Sequence, residues 1–463
     1  MARSVVTIDD LSNDEIERLF DLADKFLAKD THRVRGRGHI ADEFVLSTLF
    51  YEPSTRTRFS FETAMLRLGG HILSSADPKS TSAAKGESLA DTVRVVENYA
   101  DIIVLRHPVE GAARVAADFA DVPVINAGDG SHEHPTQTLC DLYTLKREGK
   151  KLKGLNVLLC GDLRNGRTIH SLVYALARFG AHIMPFPAKG LELPDHVQER
   201  LEREYHCVPF SVGPEAECDV VYVTPDSPHT PALFPDLKVS VESSEFTATK
   251  QRLIKSVLSQ IDVFYVTRLQ KERLHETSNT QYQLTIDKDF LKGSRYKHSS
   301  VLHPLPRVAE LGYDMDADPR AVYFKQASYG VPVRMALLTA LLGLERRVLG
   351  DHAIPVLDSK NRTPVGYPLY SSDQGLTCPA PNCVTRSESE RRYLVPKFLV
   401  VRDDPLTLRC AYCEHETKPC CFGNRASKKF RSHTHGWKAT DISRIVFFQN
   451  VQDAKTAQFE PYK

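Results

Sequence analysis

At 463 residues the chain is long enough for two or three domains rather than one. A hydrophobic fraction of 41%, a charged fraction of 26% and a formal net charge of +1 are ordinary for a globular protein, and give no whole-chain signal for nucleic acid or an anionic membrane. No apolar run approaches a membrane span, and the opening Met1-Ala2-Arg3-Ser4-Val5-Val6-Thr7-Ile8-Asp9-Asp10 turns acidic without an apolar core, so a cytoplasmic chain without a secretory signal is expected.

Residues 9–28 carry apolar side chains at helical spacing (Leu11, Ile16, Leu19, Phe20, Ala23, Phe26 and Leu27 among them). The run from Phe44 to Phe50 reads as a buried strand, and residues 59–68 read as a helix closed by Gly69-Gly70. Between them lies Ser54-Thr55-Arg56-Thr57-Arg58, on a strand-to-helix turn. Ser and Thr suit an N-cap, the unpaired N–H groups of a helix start attract anions, and two guanidiniums add forked donors. The stretch reads as a phosphate or carboxylate cradle; the plainer alternative is a capped helix with two solvated arginines.

A short strand at 71–74, a polar loop at 77–87, a helix at 88–99 and a strand at 101–105 follow, the last ending on Arg106-His107-Pro108. Another strand at 122–126 leads into Gly128-Asp129-Gly130 and His134-Pro135-Thr136-Gln137. Strands alternating with helices predict a parallel α/β sheet, whose ligands bind beyond the strand C-termini, where the cradle, Arg106 and His134 all fall. A second α/β run opens at 156–162, with Gly166-Arg167-Thr168 leading into a helix; Gly161 and Gly166 are not spaced as a dinucleotide fingerprint. Asp219-Val220-Val221-Tyr222-Val223-Thr224 then recurs as Asp262-Val263-Phe264-Tyr265-Val266-Thr267, and only the second copy continues into Arg268-Leu269-Gln270-Lys271. Val301 to Arg307 forms a strand end with a Pro-stiffened turn, residues 321–343 a long apolar helix, and the stretch near 350–375 a Pro- and Gly-rich linker.

Six of the ten cysteines crowd the C-terminal part. Cys378 and Cys383 (C-x4-C) and Cys410 and Cys413 (C-x2-C) are spaced to wrap one structural, tetrahedral Zn2+ per chain, in a segment too small to fold without such a staple. Cys420, Cys421, His433 and His435 rank below them, and four buried free thiols are the alternative. Cys140 and Cys160 read as core. A zinc ribbon alone leaves function open, since many bind nucleic acid. The basic cluster Arg425, Lys428, Lys429 and Arg431 reads as a solvated face before a contact for acidic partners.

Ser54–Arg58, His134-Pro135-Thr136-Gln137, Arg268-Leu269-Gln270 and His303-Pro304-Leu305-Pro306-Arg307, in that order, resemble the carbamoyltransferase family over about residues 1 to 345, apart from an extra segment near 219–260. The match is to its aspartate branch: the ornithine branch carries a His-Cys-Leu-Pro turn where this chain has His303-Pro304-Leu305-Pro306. The resemblance implies two parallel-sheet α/β domains plus a small β zinc-ribbon domain. Its boundaries would be 1–145 for carbamoyl phosphate, 146–295 for aspartate, 296–348 for a helical return to the first domain, 349–375 for the linker and 376–463 for the zinc domain.

It further implies transfer of a carbamoyl group from carbamoyl phosphate to the amine of L-aspartate, an early step of pyrimidine synthesis, with no metal or covalent intermediate in catalysis. Ser54, Thr55, Arg56 and Thr57 would hold the phosphate. Arg106, His134 and Gln137 would hold the carbamoyl end, and Arg167, Arg268 and Gln270 the two carboxylates. The backbone at Leu305 and Pro306 would line the carbamoyl amide. Lys85, with Thr81 or Ser82, resembles a loop that completes a neighbour's site, which implies a homotrimer with shared sites and Arg56, Arg106, His134 and Lys85 as catalytic groups. The cysteine region is similar to the zinc domain of the bacterial regulatory chain, without the nucleotide-binding domain that precedes it there. It is expected to dock on a catalytic chain, in cis or on a neighbour, without nucleotide feedback. Singly, Arg106 and Arg167 also read as strand-end charges and His134 as a helix cap. Glu62 and Glu87 read as supports, and His107, His170 and His303 as satisfied hydrogen-bonding residues. Transfer to another amine, and a non-catalytic assembly protein, are the competing functions.

Overall fold

The computed structural model describes residues 2–30, 39–77, 81–164, 166–187, 190–209, 218–224, 261–268, 285–293, 296–308, 310–358, 367–387, 390, 392–434 and 439–462. The first unit runs α1 (Asn13–Asp30), β1 (Val45–Phe50), α2 (Thr55–Leu68), β2 (His71–Ser75), α3 (Leu89–Val96), β3 (Ile102–His107), α4 (Ala112–Phe119), β4 (Val124–Asp129) and α5 (Pro135–Arg147). Its sheet is parallel in the order β2-β1-β3-β4. β3 and β4 are buried along nearly their whole length, as continuous apolar strands covered by helices on both faces must be.

The second unit runs β5 (Asn156–Gly161), α6 (Arg167–Arg178), β6 (His182–Pro187), α7 (Asp195–Tyr205), β7 (Val220–Thr224), β8 (Val263–Val266) and β9 (Ser300–Leu302), parallel in the order β6-β5-β7-β8-β9. The echoed sequences are β7 and β8, side by side and in register, with Tyr222 opposite Tyr265 and their rings stacked 4.4 Å apart. The stretch read as the start of an extra segment near 219–260 is thus an ordered strand of this sheet. Val220–Thr224 lies between β5 and β8 as an interior strand, because four of its five residues are apolar or aromatic and need cover on both faces. Residues 225–260, which carry the rest of that segment, lie outside the described residues. α8 (Tyr323–Leu341) returns to the first unit and packs on α1, α2 and α5.

The C-terminal module has two antiparallel layers. One holds β10 (Leu369–Ser371), β11 (Lys397–Asp403), β12 (Leu406–Cys410) and β13 (Glu416–Thr417). The other holds β14 (Cys421–Asn424), β15 (Lys429–Arg431), β16 (Ile445–Phe448) and β17 (Glu460–Pro461), where only the β15–β17 pair is parallel. β10 falls inside the stretch read as linker: Tyr370 is buried against Phe398 and Phe447, which pulls this end of the linker into the module. At the other end Val356 and Leu357 join the core of the first unit.

The module docks in cis. One apolar cluster joins Val93, Leu105, Ala112 and Ala116 of the first unit to Cys378, Val384, Phe398, Leu408 and Tyr412. Backbone bonds cross the seam, Glu110 N donating to Asn382 O at 3.0 Å and Val384 N donating to Glu110 O at 2.8 Å. Charge links it to α7 as well: Arg200 donates to Glu414 at 2.8 Å, Arg203 to Glu416 at 2.6 Å, and Arg409 pairs with Glu204. No helix among the described residues is long and apolar enough to cross a membrane.

Gly111 sits at this seam with φ +83°, and an added Cβ would lie 2.8 Å from the Tyr412 backbone. Gly111→Ala is expected to destabilise the chain by about 1–3 kcal/mol, through left-handed strain and displacement of the module. A lowered thermal midpoint would show it, and an unchanged one would contradict this seam.

Candidate active site

The cradle is the first turn of α2. The helix starts at Thr55 with Ser54 at the N-cap position, φ −160° and ψ 95°, and its hydroxyl makes no cap hydrogen bond. A strand-to-helix turn was expected to precede the helix; the observed start at Thr55 puts Thr55 to Arg58 inside it, so backbone N–H groups and the Arg56 guanidinium share one end. Thr57 is buried, and Arg58 pairs with Glu62 at 3.6 Å, which in turn accepts from Thr48 and Ser74. Burial lowers the Arg56 pKa, and the charge of Arg268 lowers it further. The first residues after β8 are thus brought within electrostatic reach of the cradle. Gln270 lies outside the described residues.

Arg106 at the end of β3 and Arg167 at the start of α6 are both buried, and one carboxylate holds them together. Arg106 Nη2 donates to Glu52 Oε1 at 2.9 Å; Arg167 donates to Glu52 Oε2 at 2.9 Å and to Oε1 at 3.0 Å. Each is also pinned to backbone, Arg106 on Ala127 O at 3.0 Å and Arg167 on Gly130 O at 2.9 Å. Gly128 admits both: at φ +112°, a Cβ there would lie 3.1 Å from Arg106 Nη1 and 3.3 Å from Arg167 Nη1. Two guanidiniums held on one carboxylate, Glu52, which lies three residues before the start of α2, are groups of the kind that bind small polyanions bidentately.

His134 is the residue before α5, buried, with its backbone N–H donating to Ser171 Oγ at 2.9 Å and Nδ1 3.4 Å from Thr136 Oγ1. Burial, and then Arg106, Arg167 and Arg334, hold its pKa well below the usual imidazole range, so the ring is neutral at neutral pH. Half-buried Gln137 donates to Asp141 at 2.9 Å. The turn after β9 is fixed by His303, whose Nδ1 accepts from Leu305 N at 2.8 Å and whose Nε2 meets Glu310 at 2.9 Å. Accepting at Nδ1 places the ring proton on Nε2, so this histidine is held in one tautomer for structure. Leu305 has φ +55° and precedes Pro306 through a cis peptide. Lys85 is exposed at the end of a short 3-10 turn, Ser82–Lys85. His107 accepts from Val109 N and His170 bonds Leu163 O, while Cys140 and Cys160 are buried.

Sequence reasoning missed Glu52 and Asp141. Glu52 could have been found by asking what neutralises two buried arginines, since it sits between the strand and the cradle. Asp141 stands one helical turn after Gln137, a spacing that side chains can bridge.

The four cysteines form a separate centre. The Sγ atoms of Cys378, Cys383, Cys410 and Cys413 lie within 4.8 Å of one another, with Cys378–Cys413 at 3.5 Å and Cys383–Cys410 at 3.8 Å. Zinc–sulfur bonds of about 2.3 Å in a tetrahedron need sulfurs about 3.8 Å apart, so the cage fits such an ion. Cys421 and Cys420 lie outside this group, as does His433; His435 is not among the described residues.

Two parallel α/β units whose strand ends bring a helix N-terminus and buried arginines together define a binding protein for small anionic substrates. Comparison with known proteins narrows this. Residues 3–148 match the family model for the aspartate/ornithine carbamoyltransferase carbamoyl-P binding domain, residues 153–341 the Asp/Orn binding domain, and residues 373–419 the metal binding domain of the aspartate carbamoyltransferase regulatory chain. The aspartate carbamoyltransferase catalytic subunit of Thermoplasma volcanium is 42% identical over 344 residues, 74% of this chain and 98% of the relative. That of Clostridium acetobutylicum is 41% identical over 345 residues, 74% and 98%. Among solved structures, the catalytic subunit of M. jannaschii aspartate transcarbamoylase aligns at TM-score 0.57 and 40% identity, covering 74% of this chain and 98% of that one. Trypanosoma cruzi aspartate transcarbamoylase with N-(phosphonacetyl)-L-aspartic acid aligns at 0.56 and 33%, covering 73% and 94%. The chain belongs to the aspartate/ornithine carbamoyltransferase family, on its aspartate branch, and is a carbamoyltransferase carrying a metal-binding module of the regulatory-chain type.

The Glu52 bridge predicts a particular stability pattern. Glu52→Ala leaves two buried guanidiniums facing one another and is expected to cost about 2 kcal/mol in the ligand-free chain, below the 3–5 kcal/mol of a fully buried pair because Glu52 is 26% exposed. Thermal melts with and without a phosphonate-dicarboxylate ligand should show the deficit shrinking when the ligand is bound.

Proposed function

We propose that this chain transfers the carbamoyl group of carbamoyl phosphate to the amine of L-aspartate, giving N-carbamoyl-L-aspartate and phosphate for pyrimidine synthesis. The observation that carries this is the joint placement of Arg106, Arg167 and Glu52 beside the α2 N-terminus, with Arg268 within electrostatic reach of Arg56. Residues 1–145 would bind carbamoyl phosphate and residues 146–295 aspartate.

In this reading Ser54, Thr55, Arg56 and Thr57 take the phosphate. Arg106 and neutral His134 donate to the carbamoyl oxygen as it gains charge, a role worth a few kcal/mol per donor. Neutral His134 can donate a hydrogen bond without adding a further positive charge to a site that already holds four arginines. Arg167, Arg268 and Gln270 take the carboxylates, and the backbone at Leu305 and Pro306 faces the carbamoyl amide. The amine attacks the carbonyl carbon, the C–O bond to phosphate breaks, and the departing phosphate accepts the amine proton. Holding two anions side by side against their repulsion is the main catalytic task.

The exposed Lys85 fits a group that completes a neighbour's phosphate site, so a cytoplasmic homotrimer with shared sites is the assembly that we infer. The cysteine cage would hold one structural zinc per chain and support docking of the module.

Purified chain should form carbamoyl-aspartate and give no citrulline with ornithine; absence of product with aspartate would overturn the reading. Lys85→Ala and Arg56→Ala chains, each inactive alone, should regain activity when dissociated and reassembled together, because one site in the mixed trimer is built from two intact halves. Metal analysis should find one zinc per chain. Its removal by a chelator is expected to lower the melting temperature of the module before that of the α/β units.

A further inference from the structure

Asp141 is a fully buried carboxylate that receives donors from three elements. Its Oδ1 accepts from Gln137 Nε2 at 2.9 Å, one turn back on α5, and from Gln326 Nε2 at 3.0 Å on α8. The Tyr265 hydroxyl, on β8, lies 3.1 Å from both carboxylate oxygens. Gln326 in turn accepts from His303 N at 2.9 Å, just before Leu305. An ionised carboxylate only accepts, so each of these partners must present a donor. For Gln137, with Asp141 ionised, this means that Nε2 faces Asp141 and Oε1 is left for the site.

We propose that Asp141 is a positioning residue that fixes the Gln137 amide, so that the site offers a carbonyl acceptor to the NH2 of the carbamoyl group. This rests on the reading that places Gln137 at the carbamoyl end. Its consequence is selectivity. An amide-bearing phosphonate meets an acceptor, whereas the carboxylate analogue meets a lone pair and is repelled.

The arrangement is also sensitive to pH. Burial raises Asp141 to about 7, opposed by the hydrogen bonds from Gln137, Gln326 and Tyr265 and by the charge of Arg334 on α8. Tyr222 on β7 and Cys140 on α5 also face it, and neither is charged at neutral pH because burial raises both. Above about 7 the carboxylate is ionised and the competent amide orientation is held. As pH falls through that value the carboxyl gains a proton, which the Tyr265 hydroxyl or Gln137 Oε1 can accept, so Asp141 no longer compels Gln137 to present Nε2 to it and the amide orientation is no longer fixed.

The test uses calorimetric binding of phosphonoacetamide, phosphonoacetate and inorganic phosphate to the full zinc-loaded chain, from about pH 6 to pH 8.5. The wild type should prefer the amide, by about tenfold more at the alkaline end than at the acid end. Asp141→Asn should lower the preference at every pH and flatten its pH dependence, with phosphate affinity unchanged. Tyr265→Phe removes a donor that favours the ionised form, so the fall in preference should move to higher pH. This second variant decides the matter if the first does not fold. An amide preference with wild-type pH dependence in Asp141→Asn, an unmoved transition in Tyr265→Phe, or no amide preference in the wild type would each overturn the proposal. Carbamoyl-aspartate formation by the wild type, measured in parallel, is independent. No turnover with the amide preference intact removes the proposed activity and leaves Asp141 in its role; turnover with the preference unaltered in the variants does the reverse.

Discussion

The site depends on the tolerance of like charge. Two guanidiniums about 4 Å apart repel by about 4 kcal/mol at the effective dielectric of a protein surface, and more when water is excluded. Arg106 and Arg167 are buried together, and the Arg56 pKa is lowered by burial and then by the charge of Arg268. Glu52 makes the first pair possible by accepting from both, while Ala127 O and Gly130 O take further donors. Arg106 closes a strand of the first sheet and Arg167 opens a helix of the second, so the carboxylate also fastens one α/β unit to the other. An anionic ligand can relieve the remaining repulsion, and that relief is a source of binding energy the ligand-free chain holds in store.

A second set of charges, centred on Arg200 of α7, performs a different task. Arg200 donates to Asp9 of the first unit and to Glu414 of the C-terminal module while lying on a helix of the second unit. His132 adds a link between Asp129 and Glu414. Because Arg200, His132 and Asp129 are buried and Asp9 and Glu414 partly so, each ion is costly unless all its partners are present, which makes the junction specific before it makes it strong. The apolar cluster from Val93 to Tyr412 supplies the area, and the charges set the register. The cysteine cage sits beside this junction, one residue before Glu414, so metal occupancy and three-way docking share a few residues of chain.

What the sequence made legible follows a physical divide. The placement of the cradle, Arg106, His134 and Arg167 at strand and helix ends, and the clustering of the four cysteines, were readable because each is a polar group at a fixed offset from a strand, helix or knuckle, and local chain geometry carries it. The parallel sheets were readable from apolar runs ending in polar residues. Glu52 and Asp141 were not, since each acts through partners far away in sequence: Arg167 lies 115 residues from Glu52, and Gln326 lies 185 from Asp141. The linker boundary failed for the same reason. Tyr370 looks like any residue of a Pro-rich stretch until Phe398 and Phe447 enclose it.

The paired echo shows how little such a resemblance says about chemistry. β7 and β8 have nearly the same sequence because both are interior strands, and a buried parallel strand asks for the same apolar, β-branched and aromatic residues whatever its ends do. Their tyrosines stack, and each hydroxyl takes a different hydrogen-bond partner: Tyr222 reaches Thr168 at the head of α6, while Tyr265 reaches Asp141 on α5 of the first unit. Through Tyr265, β8 is hydrogen-bonded to the neighbouring unit. It is that second strand that runs into Arg268. A repeated core solution thus meets a different polar partner in each copy, according to the position that each strand holds in the sheet.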